Sequence, residues 1–163
     1  MSTLYLAKTS TVRSLSSHGS ASGDVFAKYN VLTERELHAR YEVAVEQYVT
    51  TINIEAETAA SIARTMLLPA AIRWLGTLKE IGITVLAEES QALVDEFIDK
   101  IFALERANIG HPMDVDLLDE AKYVQTTVFT AMGDVRAVAD KLERIVPDDL
   151  WPLPKYSEIL FIK

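Results

Sequence analysis

The sequence predicts an all-α protein built as a bundle of three long antiparallel helices. The chain has 163 residues, of which 49% are hydrophobic, and it contains only 6 glycines and 5 prolines. Apolar residues recur every three or four positions through most of its length, which is the period of an amphipathic helix. A chain of this size makes one domain and buries about two thirds of its unfolded surface. We therefore expect one substantial helical core.

The first predicted helix begins at Thr33. Thr33 and Glu36 have the T-x-x-E spacing of a capping box, in which the two side chains satisfy free backbone donors at a helix start. The apolar stripe that follows consists of Leu37, Tyr41, Val45, Tyr48, Ile52, Ala56, Ala59, Ala63, Met66 and Ala70. No glycine interrupts it before Gly76. The pattern predicts one long helix that reaches about Glu80.

Two positions could interrupt this helix. Pro69 has no backbone donor and its ring crowds the preceding turn, which predicts a kink between Thr65 and Pro69. The alternative is a break near Asn53 that folds the first half of the helix back and produces a four-helix bundle.

The second and third helices follow after short turns. Gly82 and Thr84 supply the first turn, and the second helix is expected over about residues 86–107, with an apolar face wide enough for two neighbours. Asp114 is the candidate N-cap of the third helix. The third helix has a seven-residue apolar repeat formed by Leu117, Ala121, Val124, Val128, Ala131, Val135, Val138, Leu142 and Ile145. That repeat is typical of long helices packed side by side in antiparallel pairs.

The predicted helices differ in length. At 1.5 Å per residue the first would span about 70 Å and the third about 45 Å. The surplus is the segment from Leu37 to Ile52, whose apolar residues Tyr41, Val45, Tyr48 and Ile52 then need a partner. We expect that partner to be a chain terminus, another chain or another domain, and these four residues are candidate interaction residues.

The two ends of the chain differ from the helical part. Residues 1–25 are rich in serine and threonine, have no periodic apolar face and are predicted to form a disordered tail, which leaves residues 26–163 as the domain. The chain ends in VPDDLWPLPKYSEILFIK, where Pro152 and Pro154 stiffen an extended segment. We expect this segment to act as a clasp whose contact residues are Trp151, Leu153, Tyr156 and Phe161.

Composition excludes several classes of protein. There are 16 lysines and arginines against 24 aspartates and glutamates, and the resulting net charge of −8 repels nucleic acid and anionic membrane surfaces. The chain has no cysteine, which excludes disulfides and thiolate chemistry. No apolar run approaches the roughly 18 residues of a membrane span. We expect a soluble cytoplasmic protein without nucleic-acid or membrane partners; organelle import through residues 1–23 is the alternative.

Catalytic patterns are missing from the sequence. A di-iron bundle needs Glu-x-x-His pairs on two helices, and the histidines His18, His38 and His111 do not supply them. The many carboxylates between Glu88 and Glu120 follow the polar faces of amphipathic helices, as solvated residues do. We therefore assign no catalytic, cofactor-binding or metal-binding residue. His38 is the only helical histidine that a phosphotransfer bundle could use.

Residues 26–163 resemble a known family. The stretches RYEV, EQY, INIEA, LPAA and DLWPLPKY are similar to the region that follows the catalytic core of type III glutamine synthetases, up to its C-terminus. The resemblance implies a relative of an ATP- and divalent-metal-dependent glutamate–ammonia ligase whose catalytic motifs lie upstream, so none of its active-site residues carries over to this chain. Residues 1–25 lie outside the resemblance.

The function that this resemblance implies is assembly rather than catalysis. The chain would be a non-catalytic interaction domain, without cofactors of its own, that forms a homo-oligomer or binds a glutamine synthetase catalytic subunit. A non-functional truncated fragment of the enzyme is one alternative. An independent helical-bundle phosphotransfer or metal protein is the other.

Overall fold

The chain folds into helices, as the sequence predicts. The computed structural model describes residues 26, 28, 29, 31–112, 115–155, 158 and 159, and the predicted disordered tail lies outside these residues. Its helices are α1 (Glu34–Ile62), α2 (Leu68–Ile81), α3 (Thr84–Ile109), α4 (Leu117–Tyr123) and α5 (Phe129–Ile145). Short π-helical segments, Ala63–Leu67 and Val124–Val128, join α1 to α2 and α4 to α5. Three long helices result, and no strand occurs in the described ranges.

The start of α1 has the predicted capping box. The backbone N–H of Thr33 donates to Glu36 Oε2 at 2.8 Å, and the backbone N–H of Glu36 donates to Thr33 Oγ1 at 3.3 Å. The two hydrogen bonds satisfy backbone N–H groups that have no partner within the helix, and they therefore stabilise the helix start. Because the carboxylate of Glu36 accepts from the backbone and the hydroxyl of Thr33, the pKa of Glu36 is lowered.

The long first helix is irregular near Pro69 and regular at Asn53. The N–H of Leu68 donates to the carbonyl of Ala63, five residues back, where an α-helix would bond four residues back. This widened turn lies directly before Pro69, which has no N–H to continue the ladder. Asn53 lies inside α1, so the four-helix alternative is wrong.

A second π-helical segment, Val124–Val128, was not predicted. The hydroxyl of Thr126 donates to the carbonyl of Lys122 at 2.8 Å, as Thr65 does to Ser61 at 2.7 Å in the first π segment. Thr58 makes the same bond inside regular helix, however. A threonine bond of this kind therefore does not specify a π turn, and nothing in the sequence marks this one.

Gly82 forms the turn between α2 and α3. Its φ is +83°, in the left-handed region that side chains disfavour. The N–H of Ile83 donates to the carbonyl of Leu78 at 3.1 Å, and the N–H of Gly82 donates to that of Lys79 at 3.3 Å. This pair of bonds is the Schellman motif, which satisfies the last carbonyls of α2 and fixes the direction of the chain.

The N-cap of the third long helix lies two residues after the predicted Asp114, which is outside the described residues. Asp116 is the N-cap, and its carboxylate accepts from the N–H of Leu118 at 3.2 Å. Every position of the predicted seven-residue repeat is buried or half-buried. Gly133 lies in this helix with no atom within 4 Å of where a Cβ would stand, so close helix packing does not explain the glycine.

Contacts divide the chain into two compact units. The first unit consists of Met1–Asn53 with His111–Thr126, and the bundle unit consists of Ile54–Gly110 with Thr127–Lys163. In the bundle unit α2 packs on α3, α3 packs on α5, and α5 touches the Ala63–Leu67 segment. α3 therefore packs on both α2 and α5, and α5 contacts the first long helix at its π-helical segment.

Polar pairs across the bundle unit confirm its antiparallel arrangement. Arg64 Nε lies 3.3 Å from Glu105 Oε1, whereas Lys79, fifteen residues further on, donates to Gln91 Oε1 at 2.8 Å. Residue numbers therefore rise along one helix as they fall along the other. Lys100 with Asp134 at 2.9 Å and Lys141 with Glu96 at 3.3 Å repeat this pattern between α3 and α5.

The core of the bundle unit combines small and large residues. Large fully buried side chains come from all three helices: Leu78, Phe97, Ile101, Leu104, Val138 and Leu142. The first helix faces them mainly with alanines: Ala56, Ala60, Ala63, Ala70 and Ala71. Small residues let neighbouring helix axes approach closely.

Candidate interaction surfaces

The predicted interaction face of α1 is largely covered within the chain. Val45 and Ile52 are 1% and 0% exposed, while Tyr41 and Tyr48 are half-buried. Val45 and Ile52 are therefore already covered by other described residues of the single chain. Only the two tyrosines of this set retain surface for a partner, and that role stays a prediction.

The C-terminal segment begins with a tight turn that buries Trp151. The carbonyl of Pro147 accepts from the N–H groups of Leu150 and Trp151 at 3.1 and 3.0 Å. Trp151 is 8% exposed and Leu153 is half-buried. Lys155 then turns back, and its Nζ donates to the carbonyl of Val146 at 2.9 Å. This part of the segment is anchored at the end of α5; the other two predicted contact residues, Tyr156 and Phe161, lie outside the described residues.

The two described histidines have different surroundings. His38 is exposed on α1, with Nδ1 3.3 Å from Glu42 Oε1, as expected for a residue on a helix surface. His111 lies in the turn before α4, largely buried, with Nε2 2.6 Å from Glu120 Oε1 and its ring edge-on to Tyr123. Its Nδ1 is buried without a hydrogen-bond partner in the described part of the chain.

The His111–Glu120 pair was not predicted from the sequence. Its members are separated by a turn whose path the residue types do not reveal. A histidine and a single glutamate make an ion pair or a hydrogen bond, and no third histidine or acidic side chain among the described residues joins them to complete a metal shell.

Two surface carboxylates pair with lysines and change their titration. Asp119 Oδ1 accepts from Lys122 at 2.7 Å, and this hydrogen bond raises the pKa of Lys122. The hydrogen bond of Lys100 to Asp134 raises the pKa of Lys100 for the same reason. Over the described residues no group of three or more histidines, aspartates and glutamates could hold a metal ion.

Two surface features of the bundle unit were missed by sequence reasoning. A shallow groove of about 410 Å³ runs between α3 and α5, lined by Glu89, Ala92, Leu93, Lys141, Arg144 and Ile145. The turn between α2 and α3 carries a group of exposed aliphatic residues that we name the aliphatic tip: Ile81, Ile83, Val85 and Leu86, with exposures of 64%, 41%, 74% and 47%. None of the described helices is long and apolar enough to cross a membrane.

A family comparison identifies part of the chain. Residues 5–84 match the glutamine synthetase C-terminal domain family. The match begins at residue 5 and therefore includes much of the segment that we had placed outside the resemblance. The resemblance was thus correct in its family and wrong in its starting point.

Three relatives match most of this chain. The type-3 glutamine synthetase of Dictyostelium discoideum is 29% identical over 160 residues, which cover 85% of this chain and 21% of the relative. The glutamine synthetase of Butyrivibrio fibrisolvens is 25% identical over 155 residues, which cover 85% of this chain and 22% of the relative. The glutamine synthetase of Bacteroides fragilis (strain YCH46) is 26% identical over 152 residues, which cover 82% of this chain and 21% of the relative.

The chain thus spans about a fifth of the length of these relatives. The helical fold, the family match over residues 5–84 and the relatives agree with one another. Residues 5–84 thus match the glutamine synthetase C-terminal domain, and the predicted resemblance to the type III glutamine synthetases is confirmed.

Proposed function

We propose that this chain is a non-catalytic assembly domain related to type III glutamine synthetase. The observation that carries the proposal is the extent of the relationship: most of the chain matches about a fifth of much longer enzymes, through their C-terminal domain family. A domain of this kind acts by contacting other protein surfaces. Its partner is a glutamine synthetase catalytic subunit or a second copy of the chain.

The side chains of the described residues support a structural role. The charged groups that α3 and α5 direct toward each other, such as Lys100 with Asp134 and Lys141 with Glu96, form exposed pairs between helices. Exposed pairs of this kind hold register and contribute little energy. Under the proposal, ATP, glutamate and divalent metal bind to the catalytic region of the enzyme and not to this chain.

The proposal is tested by mixing purified proteins. The chain is titrated into a purified type III glutamine synthetase catalytic subunit from the same organism, and the mass of the species is measured by sedimentation velocity. We expect either a complex with the subunit or a self-associated chain. A chain that stays monomeric both alone and with the subunit would contradict the assembly role and favour a fragment without function.

Catalysis is tested separately on the chain alone. We expect no ATP-dependent formation of glutamine from glutamate and ammonia, with the catalytic subunit as the positive control. Robust synthesis by the chain alone would refute the proposal. Phosphorylation of His38 by a histidine kinase, lost in His38→Ala, would instead support the phosphotransfer alternative.

A further inference from the structure

We propose that the aliphatic tip is the anchor through which this domain docks on the glutamine synthetase catalytic subunit. The inference rests on the proposed function, and it names the surface and the chemistry of the partner. The partner surface is an apolar recess bordered by lysine or arginine side chains. Three properties of the tip carry this proposal: its exposure, its rigidity and its charge.

The exposure of the tip is not required by the bundle. Leu78 and Ala87, on either side of it, are buried at 1% and 6% exposure and already join α2 and α3 to the core. Four of the eight residues between them are aliphatic and exposed, although a turn in water is usually polar. Val85 and Ile81 are the most exposed of the four. Contiguous exposed aliphatic residues mark interaction sites more often than scattered ones do.

The tip is also held in one conformation. The Schellman bonds from Ile83 and Gly82 to the end of α2 fix the backbone of the turn, and α3 begins at Thr84 directly after it. Its side chains therefore project from a rigid hairpin of two helices. A preordered surface loses less conformational entropy on binding than a flexible loop does.

The charges near the tip define the partner. Lys79 donates to the neutral side chain of Gln91 and so keeps its positive charge, and Glu89 lines the groove that Lys141 and Arg144 also line. The exposed carboxylates of Glu80 and Glu88, which flank the tip in sequence, have no ion-pair or hydrogen-bond partner in the described part of the chain. An apolar patch with an acidic border is complementary to a recess with a basic border.

The same charges argue against two other occupants. A second copy would bring an identical acidic border against the first, and the chain carries a net charge of −8. An anionic membrane surface would repel the tip for the same reason. Four side chains cover less than the roughly 800 Å² per partner of a stable interface, so the tip is the central anchor of a larger contact.

The test compares matched variants of exposed residues. Ile81→Asp and Val85→Asp change the tip, and Ile54→Asp is the control because Ile54 is an exposed isoleucine of the same long helix, at 59% against 64% for Ile81. Val85→Ser repeats the change without adding charge. Circular dichroism first establishes that each variant keeps its helices, and binding to the purified catalytic subunit is then measured by titration calorimetry.

We expect each tip variant to weaken binding by about tenfold or more, as loss of an anchor residue does, while Ile54→Asp binds as the unmodified chain. We also expect added salt to weaken binding of the unmodified chain more than that of the double variant Glu80→Gln, Glu88→Gln.

Different failures have different meanings. If the unmodified chain binds and the tip variants bind equally well, the docking surface is overturned and the proposed function stands. If the unmodified chain does not bind the subunit, the docking surface is overturned; the proposed function is overturned as well only if the chain also stays monomeric. Two further results would overturn the docking surface: self-association that Val85→Asp abolishes, or sedimentation with phosphatidylcholine vesicles that Val85→Asp abolishes.

Discussion

The two halves of the first long helix are buried in different ways. Within the bundle unit, its second half buries alanines with leucines interspersed, and α2 packs on α3. Within the first unit, residues 34–53 bury three β-branched side chains, Val45, Val49 and Ile52. One half thus buries small residues that permit close helix approach, and the other buries larger, β-branched residues.

One continuous helix thus packs through small residues in one half and through larger, β-branched residues in the other. In the bundle unit large residues of α3 pack against buried alanines and leucines of the first helix, and such close packing leaves little room for added volume. In the first unit the helix is held by three large buried side chains and by the capping box at Thr33 and Glu36. Substitutions in the bundle unit should therefore be more sensitive to volume.

The largest expected effect is the loss of Phe97, which is 0% exposed in the bundle unit. Phe97→Ala should lower the free energy of unfolding by about 3–5 kcal/mol, because it removes buried area and leaves a cavity. The control is Phe102→Ala on the same helix, where the ring is 42% exposed and lies 5.1 Å from the guanidinium carbon of Arg64. Urea denaturation of both variants measures the difference; equal losses would mean that the core is not centred on Phe97.

Ile52 provides the corresponding test in the first unit. Ile52→Ala should cost about 2–5 kcal/mol, because the side chain is fully buried within the chain. Ile54→Ala, two residues further along the same helix and exposed, should change stability by less than about 0.5 kcal/mol. The measurement is urea denaturation at a concentration where the chain is monomeric. A small loss at Ile52 in the monomer would restore the idea of an apolar overhang that only a partner covers.

Added volume should distinguish the alanine surface from exposed alanine. Ala70→Leu, at a position 0% exposed, should destabilise the bundle unit by about 1–3 kcal/mol through overpacking. Ala44→Leu lies on the exposed side of α1 and should be close to neutral. Thermal denaturation followed by circular dichroism compares the two. A neutral Ala70→Leu would show that α2 does not pack closely on its neighbours.

The smallest effect concerns the capping box and depends on pH. Hydrogen bonds from Thr33 lower the pKa of Glu36, so the carboxylate adds stability above the ordinary glutamate pKa of about 4.3 and loses it as the pH falls through the folded-state value. Glu36→Gln should therefore lower the Tm at neutral pH and match the unmodified chain in acid. Glu46→Gln, at an exposed glutamate of the same helix, is the control. A Tm difference that persists unchanged in acid would contradict the carboxylate's role.

Periodicity and capping chemistry predicted most of the fold. The start at Thr33, the irregularity before Pro69, the turn at Gly82 and the buried repeat of the third helix all agree with the structure. Each rests on local chemistry: a cap, a missing donor, a left-handed turn or a helical period. The family resemblance came from unusual stretches of residues and was confirmed, although it begins earlier than expected.

The candidate surfaces were harder to predict, because exposure is a property of packed elements. Val45 and Ile52 share the apolar stripe of Tyr41 and Tyr48, and only the folded chain separates the buried pair from the half-buried one. Ile81, Ile83 and Val85 look like core residues in the sequence, yet the turn at Gly82 leaves them in solvent.

The sequence by itself determined that this protein is helical, where its long helices begin and turn, and which family it resembles. These properties follow from hydrogen bonds and side-chain periods that act over a few residues. The tertiary structure alone decided which apolar residues are covered, how His111 meets Glu120, and that an aliphatic tip remains exposed. Burial depends on contacts between residues far apart in the chain, and a periodic pattern gives the face of a helix without giving its neighbour.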